Sequence, residues 1–335
     1  MATESRREKS ESRLSVLSAE IESQLSDIVG DDARFCVYAT GSYGRLEAWE
    51  ESDADLFLLA DPTSKTDLPE ILKKRIVGRL IEAVEKAGFP EFDKDGKFLE
   101  VHNVSDMHRQ LGSPEDDSLN AFTARMLLLL ESRPVQNSVV YDELVQKIVL
   151  FYFQDHEDHA ENFKPLFLLN DILRFWRTLT LNYESSRRGK LRYALDPETG
   201  SDQALSDAKA KSALKNYKLK FSRLTTCFSM AACLGLVPGP TDADSVVTFC
   251  AMTPADRLTH IGSLSNSQQT LVAKLIDRYE GFLQTTQRDK SIVLDEFRDP
   301  SKKQKLLKTA TQYGDGFYEL LRSGSDPQKI RYLII

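Results

Sequence analysis

The stretch Ser52-Asp53-Ala54-Asp55-Leu56-Phe57-Leu58-Leu59 constrains this chain more than any other. A run of large apolar residues stopped by Asp61-Pro62 reads as a buried strand. Side chains on a strand alternate between its two faces, so Asp53 and Asp55 leave together on one side while Ala54 and Leu56 leave on the other. Two carboxylates so placed repel each other unless a cation sits between them, and an oxygen-only site suits Mg²⁺ or Mn²⁺. A third carboxylate on a neighbouring strand would complete a clamp for two ions about 3.5–4 Å apart. Glu100 is the candidate. In Phe98-Leu99-Glu100-Val101-His102, alternation sends Leu99 and Val101 to the core, and Glu100 with His102 to the opposite face. The competing readings are a helix cap with solvated carboxylates for Asp53/Asp55 and a plain surface residue for Glu100.

Upstream, Arg34 to Thr40 is a short run rich in strand formers that ends at Gly41-Ser42-Tyr43-Gly44-Arg45. Glycine lets the chain turn sharply and lets phosphate approach the backbone. A serine hydroxyl and the exposed N–H groups at a helix start can hold a triphosphate. Arg45, one helical turn on, is placed to touch a phosphate or to salt-bridge Glu47 or Glu50.

A small residue and Gly-Ser, then roughly ten residues, then Asp-x-Asp on a strand, resembles the polymerase β-like nucleotidyltransferases. The resemblance implies a palm with a mixed sheet, Gly41 and Ser42 on the nucleotide phosphates, and Asp53 and Asp55 on two Mg²⁺ or Mn²⁺ ions. None of the four positions departs from that pattern.

Periodicity divides the chain. Leu14, Leu17, Ile21, Leu25 and Ile28 recur at helical steps, and Leu68 to Ala87 is a second amphipathic helix closed by Gly88. Lys97 to Val104 alternates as a strand. Nearly everything after Asp117 has helical period: Leu119–Glu131, Ser138–Phe153, Phe163–Glu184, Ala208–Leu234, Pro254–Leu264, Gln268–Gln287 and Lys302–Arg322. The expected fold class is therefore α+β, a nucleotidyltransferase palm over 1–117 followed by an all-helical region over 118–335 that binds nucleotide or product. Leu169, Ile172, Leu173, Trp176 and Leu179 form the apolar stripe of one helix, and Arg174 and Arg177 on its other side are candidate phosphate contacts. Cations recur from Arg187 to Arg223, and Lys218 joins the candidates; Tyr217 and Phe221 interleave with them, a composition that suits a nucleotide or a single strand. His102 and His108 read as ordinary residues, and His156 with His159 as a solvated helix face.

The net charge of −7 disfavours a polymerase on long duplex, which needs a broad basic surface. Four widely spaced cysteines without a CxxC pair read as reduced, buried residues. The charged N-terminus lacks the apolar core of a signal peptide, and no stretch reaches the roughly 20 apolar residues that span a bilayer. Cytoplasmic localisation without membrane insertion is the expectation.

Two activities fit the motif. One is transfer of a single nucleotide onto a protein or RNA, since Gly-Ser-Tyr-Gly-Arg…Ser-Asp-Ala-Asp looks like the adenylyl- and uridylyltransferases of signalling and toxin type. The other is template-free oligonucleotide synthesis, because the whole-chain layout is similar to the nucleotidyltransferase of the Hailong anti-phage system. That resemblance implies oligo-deoxyadenylate made from dATP, a single-stranded product that controls a membrane effector, and priming on a tyrosine near the C-terminus. Tyr332 lies three residues from the end. Its phenol is a hydroxyl nucleophile. The alternative is that Ile330, Leu333, Ile334 and Ile335 pack as a last apolar segment with Tyr332 at the surface.

Overall fold

The computed structural model describes residues 2–30, 33–61, 68–92, 99–118, 120–158, 160–196 and 201–324. In chain order the first elements are α1 (Ala2–Leu25), β1 (Phe35–Ala39), α2 (Gly41–Gly44), β2 (Leu56–Ala60), α3 (Glu70–Lys86), β3 (Val101–Asn103), α4 (Val104–Gln110), α5 (Glu115–Ser118), α6 (Ala121–Leu130), β4 (Arg133–Gln136) and α7 (Ser138–Leu150). They are followed by α8 (Leu166–Leu195), α9 (Asp202–Lys218), a π-helical turn over Leu219–Arg223, α10 (Leu224–Leu236), α11 (Ala243–Ala251), α12 (Pro254–Gly262), α13 (Asn266–Thr286), α14 (Lys290–Arg298) and α15 (Pro300–Arg322). The chain forms two compact units. Among the described residues, the first comprises Thr3–Phe163 and Thr241–Thr253, and the second comprises Lys164–Pro240 and the segment that starts at Pro254. Helices α6 and α7, expected in the helical region after residue 117, lie in the first unit with the sheet.

The sheet of the first unit has the order β3-β2-β1-β4. β1 pairs antiparallel with β2 and β4, and β2 pairs parallel with β3, so the sheet is mixed. Phe35, Val37 and Ala39 of β1 and Leu56, Leu58 and Ala60 of β2 face a core built with Leu14, Leu17, Ile21 and Leu25 of α1 and Ile76, Leu80 and Val84 of α3. The other face is covered as well. The Tyr38 hydroxyl donates to the Ala124 carbonyl of α6 (3.4 Å), and its ring lies 6.2 Å from that of Tyr141 on α7. Burial on both faces explains why β1 and β2 read as unbroken apolar runs. β4, Arg133-Pro-Val-Gln136, is an added strand within the region expected to be all helical. Proline is tolerated there because β4 is an edge strand, where a missing N–H faces no partner.

Helix α3 ends as its sequence demands. Gly88 has φ +68, Gly88 N–H bonds the Glu85 carbonyl, and Phe89 N–H bonds the Val84 carbonyl at 3.1 Å, the paired bonds of a Schellman cap. The first unit's chain leaves at Phe163 and returns at Thr241, whose N–H donates to the Phe163 carbonyl at 2.9 Å. On return, α11 packs on α7 and buries Val246, Phe249 and Cys250.

The second unit is helical among its described residues. Its centre is aromatic: the Phe221 ring stacks at 4.8 Å on Phe282 and at 4.5 Å on Tyr313, and Tyr217 lies 5.7 Å from Phe297. Tyr217 (2% exposed) and Phe221 (0%) are thus core residues. The expectation that they interleave with lysines to stack bases is corrected, because packing inside the helix cluster takes both rings. Residues 154–158 form turns rather than the expected helix; His156 packs against the Phe153 and Phe163 rings, and His159 lies outside the described residues. All four cysteines are free and buried, and no described helix is long and apolar enough to cross a membrane.

Candidate active site

Antiparallel pairing of β1 and β2 brings the two halves of the motif together. Ala39 pairs with Leu56, so the next residues, Thr40 and Asp55, meet at the end of the ladder, where Thr40 N–H donates to the Asp55 carbonyl at 2.8 Å. Gly41 then turns with φ +64, and a Cβ there would sit 2.5 Å from Asp55 Oδ2. Glycine is required twice over, by the left-handed backbone and by the carboxylate against it.

Gly41 to Gly44 is a single helical turn. Gly44 and Arg45 N–H bond the Thr40 and Gly41 carbonyls, and Glu47 N–H bonds the Ser42 carbonyl. The N–H groups of Gly41, Ser42 and Tyr43 are not used by the turn itself, the usual state of a helix start. Ser42 is half-buried beside them. Asp53 is half-buried and Asp55 exposed, whereas Ala54 (2% exposed) and Leu56 (2%) are in the core. The alternation expected for Asp-x-Asp is therefore in place. Beside the turn, burial raises the Tyr43 phenol above its ordinary range; Arg13 opposes the shift by hydrogen bonding and charge, while Asp53 adds to it.

Arg45 takes the salt bridge to Glu47 that the sequence offered beside a phosphate contact. It is 8% exposed, its Nε bonds Glu47 at 2.8 Å and its NH1 bonds Glu131 at 2.7 Å. Two carboxylates at a buried position make it a brace for the turn, the salt-bridge alternative with Glu47. Glu50 belongs to Lys9, at 2.6 Å.

Glu100 is exposed and immediately precedes β3, whose Val101 pairs with Leu58. One step back along this parallel register it lies level with Phe57, two residues beyond Asp55. Leu99 is buried, as is His102, which stacks on Phe57 at 6.1 Å; the burial of His102 lowers its pKa to about 4. Among the described residues no three Asp, Glu, His or Cys side chains form a group that could hold a metal ion. Residues 93–98 beside Glu100 lie outside the described residues.

The remaining candidates lie in the second unit. Arg174 and Arg177 are on α8, with Arg174 NH1 3.6 Å from the buried Asp171 and Arg177 exposed. Lys218 is exposed at the end of α9. Tyr332 lies outside the described residues.

The structure adds supports that the motif did not name. Arg6 NH1 donates to the Glu47 carbonyl at 2.8 Å, Ala48 N–H donates to Ser10 Oγ at 3.0 Å, and Gly44 packs against the backbone of Glu131. A signal existed: Arg6 and Ser10 continue the α1 stripe of Leu14, Leu17 and Ile21 at four-residue steps, so polar residues stood where core residues belong.

A mixed four-stranded sheet with helices, a glycine turn after its first strand and paired aspartates entering the next define an α+β nucleotidyltransferase-like fold. More particularly, residues 6–96 match the family described as "Putative nucleotidyltransferase DUF294". The match runs from α1 through the Gly41 turn and both aspartates to beyond α3, and stops before Glu100. It supports a nucleotidyltransferase family for this segment. No curated protein matches the chain.

Proposed function

We propose that the first unit is a metal-dependent nucleotidyltransferase centre. A hydroxyl attacks the α-phosphate of a nucleoside triphosphate in line, a new P–O bond forms, and the bond to the departing pyrophosphate breaks. The approach of Asp55 Oδ2 to the Gly41 backbone carries this reading. It sets a carboxylate against the glycine turn proposed to seat phosphate, and a cation between two such negative groups would relieve their repulsion. Asp53 and Asp55 are the proposed holders of Mg²⁺ or Mn²⁺, with Glu100 as the third carboxylate. Bound there, such ions neutralise the charge that develops on the reacting phosphate. Gly41 and Ser42 seat the β- and γ-phosphates, and Glu100 helps activate the attacking hydroxyl.

Within that class, we favour template-free synthesis of a short single-stranded oligonucleotide from dATP, primed on Tyr332, as a signal in anti-phage defence that acts through a membrane effector. The support is the similarity of the layout to the Hailong nucleotidyltransferase. Arg174, Arg177 and Lys218 are the proposed contacts to triphosphate or product.

The test is incubation of the purified protein with Mg²⁺ or Mn²⁺ and each ribo- and deoxynucleoside triphosphate separately, with gel and intact-mass readouts. A ladder from one nucleotide that is lost in Tyr332→Phe is expected. A single nucleotide added to the enzyme or to a co-purified protein would replace this reading with protein nucleotidylation. No product with any nucleotide would overturn the reaction itself.

A further inference from the structure

The α8–α9 hairpin carries charge of the opposite sign to the chain. Leu166 to Arg223 holds twelve Lys and Arg against six Asp and Glu, whereas the chain as a whole has 44 against 51. The two helices pack together, their short link makes them antiparallel neighbours, and Lys215 Nζ lies 3.4 Å from Ser186 Oγ. One helical turn further along each helix places Lys211 beside Lys190. Lys211, Lys215 and Lys218 recur at four- and three-residue steps on α9 and are all exposed, forming a row with spacings of about 5–6 Å. Tyr193, 65% exposed, follows Lys190 by one turn on the same side of α8. The nearby carboxylates are engaged: Glu184 by Arg187 and Arg188, and Asp207 by Arg298. Asp196 and Asp202 lie at the tip of the hairpin.

We propose that this row is a binding surface for single-stranded nucleic acid. A line of ammonium groups tracks a phosphate backbone, and an exposed aromatic ring beside it offers a face on which a base can stack. Binding of such a polyanion releases counterions, which drives association onto an acidic protein through a local basic strip. An acidic polypeptide offers carboxylates to the lysine row but no base to stack on the tyrosine ring.

The test is fluorescence anisotropy on the full chain with labelled thymidylate and uridylate strands of about 15 nucleotides, a duplex of the same length, and polyglutamate as competitor. Mg²⁺ and nucleoside triphosphates are omitted, so the outcome is independent of nucleotidyl transfer; Asp53→Ala/Asp55→Ala must bind as the wild type does. Single strands are expected to bind. Lys190→Gln/Lys211→Gln/Lys215→Gln should weaken binding at least tenfold and reduce the log–log salt slope by about 2, three phosphate contacts at about 0.7 each. Lys302→Gln/Lys305→Gln, on α15, should bind normally. Absence of binding at about 50 mM salt overturns the proposal. So does an unchanged affinity and slope in the triple variant, equally tight duplex binding, or displacement of the strand by polyglutamate at equal charge.

Discussion

Gly44→Ala isolates what the Gly41 turn owes to its surroundings. A Cβ on Gly44 would lie 2.7 Å from the Glu131 carbonyl carbon, closer still to its oxygen, and 3.1 Å from the Ala39 oxygen. Carbon atoms pack at about 3.5–4.0 Å, so the neighbours must retreat by roughly an ångström. They are backbone atoms and cannot rotate away. Glu131 also ends α6, and the adjoining Ser132 hydroxyl is tied to the Leu128 carbonyl at 2.6 Å and to the Tyr141 hydroxyl at 2.7 Å. Overpacking a tight site costs about 1–3 kcal/mol, and a rigid neighbour puts this one near 3 kcal/mol. In a unit of this size that lowers Tm by about 6–12 °C. Gly78→Ala is the opposite control. Gly78 is exposed in the middle of α3 with nothing within 4 Å of its Cβ position, so alanine stabilises by about 0.5–1 kcal/mol. The chain has two tryptophans; in a Trp176→Phe background Trp49, whose ring lies 4.3 Å from Lys9 Nζ, reports the first unit alone. Thermal melts by its fluorescence should move in opposite directions for the two variants. A Gly44→Ala melt at or above the parent would refute the packing argument.

Three further outcomes follow from the same site. Asp53→Ala/Asp55→Ala should abolish metal-dependent nucleotidyl transfer and leave the melt within about 2 °C, since neither side chain is buried; retained turnover sinks the catalytic assignment. Gly41→Ala should cost about 1–2 kcal/mol for its left-handed backbone, yet reduce turnover by about 10²-fold, because Asp55 is pushed from its place; steady-state rates beside urea melts separate the two effects, and equal rates would remove Asp55 from the phosphate site. Arg45→Met leaves Glu47 and Glu131 buried without their shared guanidinium and should cost about 3–5 kcal/mol. A shift in urea midpoint equivalent to less than 1 kcal/mol would show that Arg45 does not brace the turn.

What was legible in the sequence was local. Asp53, Ala54, Asp55 and Leu56 announce their faces by alternation, and Gly88 announces the end of α3, because strand pleat and helix cap are written in adjacent residues. The approach of Gly41 to Asp55 was legible only as a spacing. Its cause, the pairing of Ala39 with Leu56, is a contact between strands. β4 escaped notice because Arg133-Pro134-Val135-Gln136 has neither alternation of apolar residues nor β-branched density; its place on the sheet edge is decided by β1. Arg45 offered two readings of equal local merit, and its second carboxylate, Glu131, lies too far along the chain to be seen beside either. Tyr217 and Phe221 looked like stacking rings among lysines, since one helix in isolation does not reveal that α13 and α15 lie over them.

The thread between Phe163 and Thr241 has a consequence for biosynthesis. The sheet, α6 and α7 have all left the ribosome once residue 163 is free, yet α11, which covers α7, emerges only after the whole α8–α10 segment. At 5–20 residues per second, that interval lasts about 5–18 s. Throughout it, the surface of α7 that Val246, Phe249 and Cys250 will cover stays wet and adhesive. The nascent chain holds a nearly finished sheet unit with one wall open over that interval, a window in which a chaperone has something to grip.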